Sequence, residues 1–135
     1  MISGFKFAWV TLLSSSVVYG SKQEFSIQRD IAYSGSGNPH QTLDLYTPRS
    51  LNNSSGKLPV VVWIHGGAWK SGNKKSGNHP HRIPEIVGTQ RYAGVSIGYR
   101  LSQEVKWPAQ IHDCKAAIRW IRGNAKSLGL SLIHI

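Results

Sequence analysis

The stretch VVVWIHGGAW, Val60 to Trp69, decides how the rest of the chain is read. Val60 to Ile64 is continuously apolar, rich in β-branched residues and opened by Pro59. A strand that shows no polar face belongs in a sheet covered by helices on both sides. His65 follows at once, and then come two residues without a Cβ. A backbone leaving such a strand can turn sharply at Gly66 and Gly67. It can then leave N–H groups free in the crevice beyond the strand ends, where α/β sheets place ligands. Two such donors can hold the negative oxygen that develops when a nucleophile attacks a carbonyl. A plain glycine turn is the other reading of the same residues. His65 has the chemistry of a metal ligand or a base, but its place beside the glycines suits a side chain that pins the loop.

Upstream, Phe25, Ile27, Ile31 and Tyr33 fall on the period of a half-buried strand. SGSGNPH is a turn cluster, and QTLDLYTP alternates again through Leu43 and Leu45 until Pro48 ends it. Two alternating runs joined by a short loop predict an antiparallel pair. Downstream of the glycines, HRIPEIVGTQ is a weak helix candidate with Pro84 confined to its first turn. RYAGVSIGY is a second strand-like run. The strongest helix signal opens at Pro108, with Ile111, Cys114, Ile118, Ile121 and Leu128 at helical spacing and Gly129 in the position of a C-terminal cap. An antiparallel pair followed by buried strand, helix, strand and helix opens an α/β sheet protein.

Composition bounds the partners. The chain has 135 residues, the size of one domain, and 40% hydrophobic residues argue for a packed core. Sixteen basic and six acidic residues give a formal charge of +10. Such a charge raises nucleic acid or an anionic membrane as a partner. The charges are scattered, however, and the one dense cluster, Lys70 to Arg82, is a Gly/Asn-rich loop without interleaved aromatics. It reads as solvated basic surface, with an anion or polysaccharide contact as the alternative, and no nucleic-acid partner is expected. Cys114 is the only cysteine, so no intrachain disulfide forms; amid Ala and Ile it reads as a small buried hydrophobe rather than a nucleophile.

Residues 1–20 read as a secretory signal peptide: one Lys, a short apolar run, and Val18 and Gly20 before Ser21. The expected product is secreted or periplasmic, with no stable membrane insertion after cleavage. A buried N-terminal element is the alternative. The sequons at Asn52 and Asn53 matter only in a glycosylating host.

Together, NPHQTLDLYTP, VVVWIHGGAW and YRLSQEVKWPAQIHDCKAAIRWI resemble the N-terminal half of an α/β-hydrolase. More narrowly they are similar to the esterase/lipase group that includes hormone-sensitive-lipase-like and feruloyl-esterase-like enzymes. The resemblance runs from about residue 25 to 130 and is carried by the order of the three segments. It implies an incomplete α/β-hydrolase fold over 21–135, an antiparallel strand pair leading into a mostly parallel sheet with flanking helices. It also implies an oxyanion hole built from the backbone N–H groups of Gly66 and Gly67, with Ala68 standing where relatives often have a third glycine. Trp69 then flanks the acyl or alcohol pocket. Tyr99, Arg100, Leu101, Pro108, Asp113 and Trp120 match structural positions, and Arg100 is expected to pair with Asp113 or Glu104. The implied substrate is a small-molecule or polysaccharide-linked carboxylic ester, and no cofactor or metal is needed. A noncatalytic binding protein, a serine peptidase and an acyltransferase share this front half.

One motif tests the resemblance. GVSIG, residues 94–98, spells the G-x-S-x-G of a nucleophile elbow. An elbow must turn straight into a helix, yet Tyr99 to Trp107 shows no helical period, and Val95, Ile97 and Tyr99 favour continued strand. His65 and Ser96 are 31 positions apart, room for one helix and one strand where the family has two of each. Ser96 is therefore expected inside a strand. In the family order the nucleophile, acid and base come later, beyond Ile135, and His134 is misplaced to act as the base. GLSLIHI departs from the family pattern at Ser131, so SLIHI is either a junction or a native continuation that leaves the pattern. Residues through 135 alone are expected to be inactive.

Overall fold

A computed structural model describes residues 24–49 and 56–131. The leader, both sequons and His134 lie outside the described residues. Strands β1 (Phe25–Ala32), β2 (Thr42–Pro48), β3 (Val60–Ile64) and β4 (Ala93–Ile97) form one mixed sheet in the order β1-β2-β4-β3. β1 with β2 and β2 with β4 are antiparallel; β3 and β4 are parallel. A short 3-10 helix at Lys74–Asn78 and helix α1 (Ile83–Gly88) lie between β3 and β4, and α2 (Ala109–Asn124) follows.

The sheet carries packed side chains on both faces. Leu43 and Leu45 of β2, Val60 of β3, and Ala93, Val95 and Ile97 of β4 pack with Ala117 and Ile121 of α2. On the other face Tyr46 packs with Ile83 and Val87 of α1, against Val61 and Trp63. Pro84 sits in the first turn of α1, the place its missing N–H allows. Pro108 is the N-cap of α2. Gly129, at φ +65°, closes the turn after the helix, where the Leu130 N–H bonds the Ala125 carbonyl at 2.8 Å, a Schellman-type bond. Leu130 then bridges Leu58 in parallel, which brings the chain to the side of β3 away from β4.

Three local expectations need correction. The residues of β1 do not share one face. A bulge between Gln28 and Ile31, with Asp30 at φ +56°, shifts the parity, so Phe25 and Ile27 pack on the α1 side and Ile31 on the α2 side. β2 is buried on both faces rather than half-buried. β4, not β3, is the fully buried strand. β3 is one of the two edge strands among the described residues, and its Ile64 is 43% exposed.

The packing on β4 explains the glycines of GVSIG. A Cβ on Gly94 would stand 2.4 Å from Ile83 Cγ2, so α1 rests directly on the strand backbone. At Gly98 it would meet the His40 carbonyl at 2.7 Å. Overpacking a close contact of this kind costs about 1–3 kcal/mol. Gly94→Ala is expected to lower unfolding stability by about that much. Combined with Ile83→Ala, which opens the space, the loss should be less than the sum of the single losses, measured by urea denaturation of the full-length protein.

Candidate active site

The loop after β3 is built by backbone geometry. Gly67 lies at φ +117°, and Ala68 and Trp69 follow at +51° and +63°. Two successive L-residues in the left-handed region cost roughly 1–2 kcal/mol each. They persist where the surroundings fix them. A Cβ on Gly67 would fall 2.1 Å from the Ser71 carbonyl oxygen, because the chain folds back on itself there. The Gly67 carbonyl accepts from the N–H groups of Lys70 and Ser71 at 2.9 and 3.1 Å. Farther along, a Cβ on Gly72 would meet His65 Nδ1 at 2.5 Å and the Gly66 oxygen at 2.6 Å. The return leg thus packs against the leg that leaves the strand.

His65 is buried and pins this loop. Its Nδ1 donates to the Gly66 carbonyl at 2.8 Å, its ring stacks on Tyr99 at 4.1 Å, and its own carbonyl accepts from the Tyr99 hydroxyl at 2.8 Å. Burial holds its pKa below that of free imidazole, against the contrary pull of the Gly66 carbonyl. Among the described residues no cluster of three metal-ligating side chains occurs. Trp69 meets Tyr99 edge-on at 5.2 Å and Trp107 at 5.6 Å, and its carbonyl accepts from the Ser102 N–H. Within this frame Gly66, Gly67 and Ala68 are exposed, and among the described residues their N–H groups make no hydrogen bond.

Ser96 stands in mid-strand, fully buried, and its hydroxyl donates to the Lys74 carbonyl at 2.6 Å. A Cβ on Gly77 would stand 2.3 Å from Ser96 Oγ, so the 3-10 segment leaves room for no larger side chain. The hydroxyl has neither the exposure nor the histidine that a nucleophile needs. Cys114 is buried in α2, and burial, with Asp113 beside it, pushes its thiol up to about 11. It is a packing residue.

Arg100 pairs with Asp113, not Glu104. The guanidinium grips both carboxylate oxygens, Nε to Oδ2 at 2.8 Å and Nη2 to Oδ1 at 2.7 Å. The Arg100 N–H and Gln41 Nε2 add bonds at 3.1 and 2.6 Å. Burial works to raise the Asp113 pKa, but these donors outweigh it and hold it below the usual carboxylate range. Glu104 instead accepts from Asn38 and pairs with His40.

Sequence reasoning missed a second buried ion pair and misread its lysine. Lys74, assigned to a solvated basic loop, is 8% exposed, and its ammonium bonds both Asp30 and Asp44. Asp44 is almost fully buried and also accepts from the Asp30 N–H at 3.0 Å. A lone acid inside the apolar alternation of TLDLY was the available signal.

The BD-FAE family model matches residues 43–135. The chain is 44% identical over 72 residues to carboxylesterase NlhH of Mycobacterium tuberculosis, covering 53% of this chain and 22% of that protein. It is 31% identical over 107 residues to a probable carboxylic ester hydrolase, LipM, of the same organism, covering 79% of this chain and 24% of that one. Its fold is similar to that of esterase B from Lactobacillus rhamnosis in a phosphonate-inhibited form, with a TM-score of 0.72 and 31% identity. That likeness covers 82% of this chain and 34% of the other. The chain thus spans about a quarter to a third of the length of these proteins.

Two outcomes follow from the side-chain network. Arg100→Ala strands a buried carboxylate and should destabilise the full-length protein by about 3–5 kcal/mol in chemical denaturation. His65 should titrate below pH 6.5 by NMR. Because the unfolded imidazole takes up protons that the folded one refuses, its contribution to stability is complete above pH 6.5 and is lost as pH falls below it.

Proposed function

The chain belongs to the BD-FAE family of α/β-hydrolase esterases, and from that membership we propose that it forms the oxyanion-stabilising front part of an exported carboxylic-ester hydrolase. The observation that carries the reading is the set of exposed, unpartnered N–H groups at Gly66, Gly67 and Ala68, at the carboxyl end of a parallel strand. Attack on an ester carbonyl turns its oxygen into an oxyanion. Donors already fixed in place stabilise that charge without reorganising, and removing one costs about 10²–10³ in rate. In this reading the serine that attacks, the histidine that moves its proton and the acid that orients the histidine come from residues after Ile135 of the whole protein. Trp69 and the 61% exposed Trp107 offer aromatic surface to the acyl or alcohol part of the ester, free or polysaccharide-linked. Residues 1–20 supply the export signal, so the mature protein should be recovered outside the cytoplasm with Ser21 at its N-terminus by Edman sequencing.

Hydrolysis of p-nitrophenyl butyrate by the full-length protein tests the site. Gly67→Ala drives a Cβ into the Ser71 carbonyl and displaces the donors. Its kcat is expected to fall by about 10²–10³. Ser96→Ala should keep activity within about tenfold of the parent, since loss of a true nucleophile costs about 10⁶. Abolition of turnover in Ser96→Ala, with the fold intact, would overturn the assignment.

A further inference from the structure

We infer that the buried Lys74–Asp44 pair positions the amide-bearing loop for catalysis, a role that rests on the proposed oxyanion function and deepens it. The loop leaves β3 at Ile64 and returns to the body of the fold at Lys74. Its return leg backs the donor leg directly: Gly72 packs on His65 and the Gly66 carbonyl, and Ser71 on Gly67. Any shift of the return leg therefore moves the donors.

Three strands hold the end of that leg. The Lys74 ammonium bonds Asp44 in the centre of β2 and Asp30 at the β1 bulge. The Lys74 carbonyl accepts from Ser96 of β4. Arg29 also faces Asp44, at 3.5 Å. The left-handed Asp30 turns its own N–H onto the same Asp44 oxygen that takes the ammonium, so the bulge closes the pocket around the pair. Asn73 caps the 3-10 helix by accepting from the Lys75 N–H at 2.9 Å, which fixes the backbone direction as the chain enters Lys74.

The fold thus places a charged lock at one end of the loop and the His65–Tyr99 stack at the other. Hydrophobic burial fixes the height of the 3-10 segment over the sheet but carries no preferred direction along it. A hydrogen-bonded ion pair has direction, and register is the best-attested use of such pairs. Lys74 and Asp44 are positioning residues: neither is assigned a contact with the ester.

The test uses the full-length enzyme and p-nitrophenyl butyrate, with kcat expressed per active site titrated by a phosphonate. Lys74→Met leaves the buried Asp44 with only the half-exposed Arg29 at 3.5 Å and risks misfolding. The paired variant Asp44→Asn/Lys74→Met removes both charges together and keeps the fold testable. A misplacement near 1 Å costs about 10²-fold in rate. The paired variant is therefore expected to lose about 10- to 100-fold in kcat, with KM within about twofold and a native circular dichroism spectrum. Phosphonylation should slow by the same factor as kcat, because it uses the same donors. A paired variant with lowered melting temperature but parental kcat per site, alongside a Gly67→Ala enzyme that has lost activity, overturns the positioning role and leaves the oxyanion reading standing. Parental kcat in both variants overturns the oxyanion reading, and the positioning role with it.

Discussion

The structure depends on how closely neighbouring elements approach one face of β4. On that face the strand carries only Gly94 and Ser96, and Gly98 follows at its end. α1 rests on Gly94, the 3-10 segment on Ser96, and the His40 carbonyl on Gly98. Interiors packed at crystal-like density leave no slack for an added methyl group at such contacts. The opposite face is filled instead, by Ala93, Val95 and Ile97 against α2. This asymmetry seats the 3-10 segment at a fixed height over the sheet. Lys74 and the return leg of the glycine loop inherit that height.

A second regularity concerns polar groups. The interior is well satisfied: Asp113 takes four hydrogen bonds, Asp44 is held by Lys74 and Asp30, and the hydroxyls of Tyr33, Ser96 and Tyr99 each reach a backbone carbonyl. Among the buried side-chain nitrogen and oxygen atoms of the described residues, only Gln110 Oε1 lacks a partner. Against that background the free amides of Gly66, Gly67 and Ala68 stand at the surface, in a loop that accepts left-handed strain at Ala68 and Trp69. Strain that holds the amides in one fixed turn is a cost with no benefit to stability, and such cost tends to be concentrated at functional sites.

The parts legible in the sequence were those written in local pattern. The β3 run, Pro84 inside the first turn of α1, the α2 stripe and Gly129 each follow from a few neighbouring residues. Ser96 was read correctly because an elbow makes a local demand, an immediate helix, that Tyr99 to Trp107 does not meet. What failed was set by tertiary context. The β1 bulge changes face without any change in residue type, since a period of two cannot report a shift of one. The relative burial of β3 and β4 depends on strand order, and the more apolar run, VVVWI, is the less buried because it lies at an edge while AGVSI lies inside. Gly72 stood inside a run of Ser, Gly and Asn that reads as flexible loop, and its contact with His65 is visible only in three dimensions.

The charge count shows the same limit from another side. A formal charge of +10 invites a search for an anionic partner, and residues 70–82 were its densest stretch. Part of that positive charge is committed inside the fold. Lys74 is locked between two aspartates, and Arg82 lies over the Trp63 ring at 4.4 Å while donating to the Ser76 carbonyl. Arg100, outside the cluster, is held on Asp113. An aspartate in an apolar strand and a lysine in a glycine-rich loop, 30 positions apart, are each anomalous alone. Paired, each accounts for the other: the acid has a cation to justify its burial, and the lysine has a reason to be immobile. Surface charge is what remains after such pairs are subtracted, and the subtraction requires the fold.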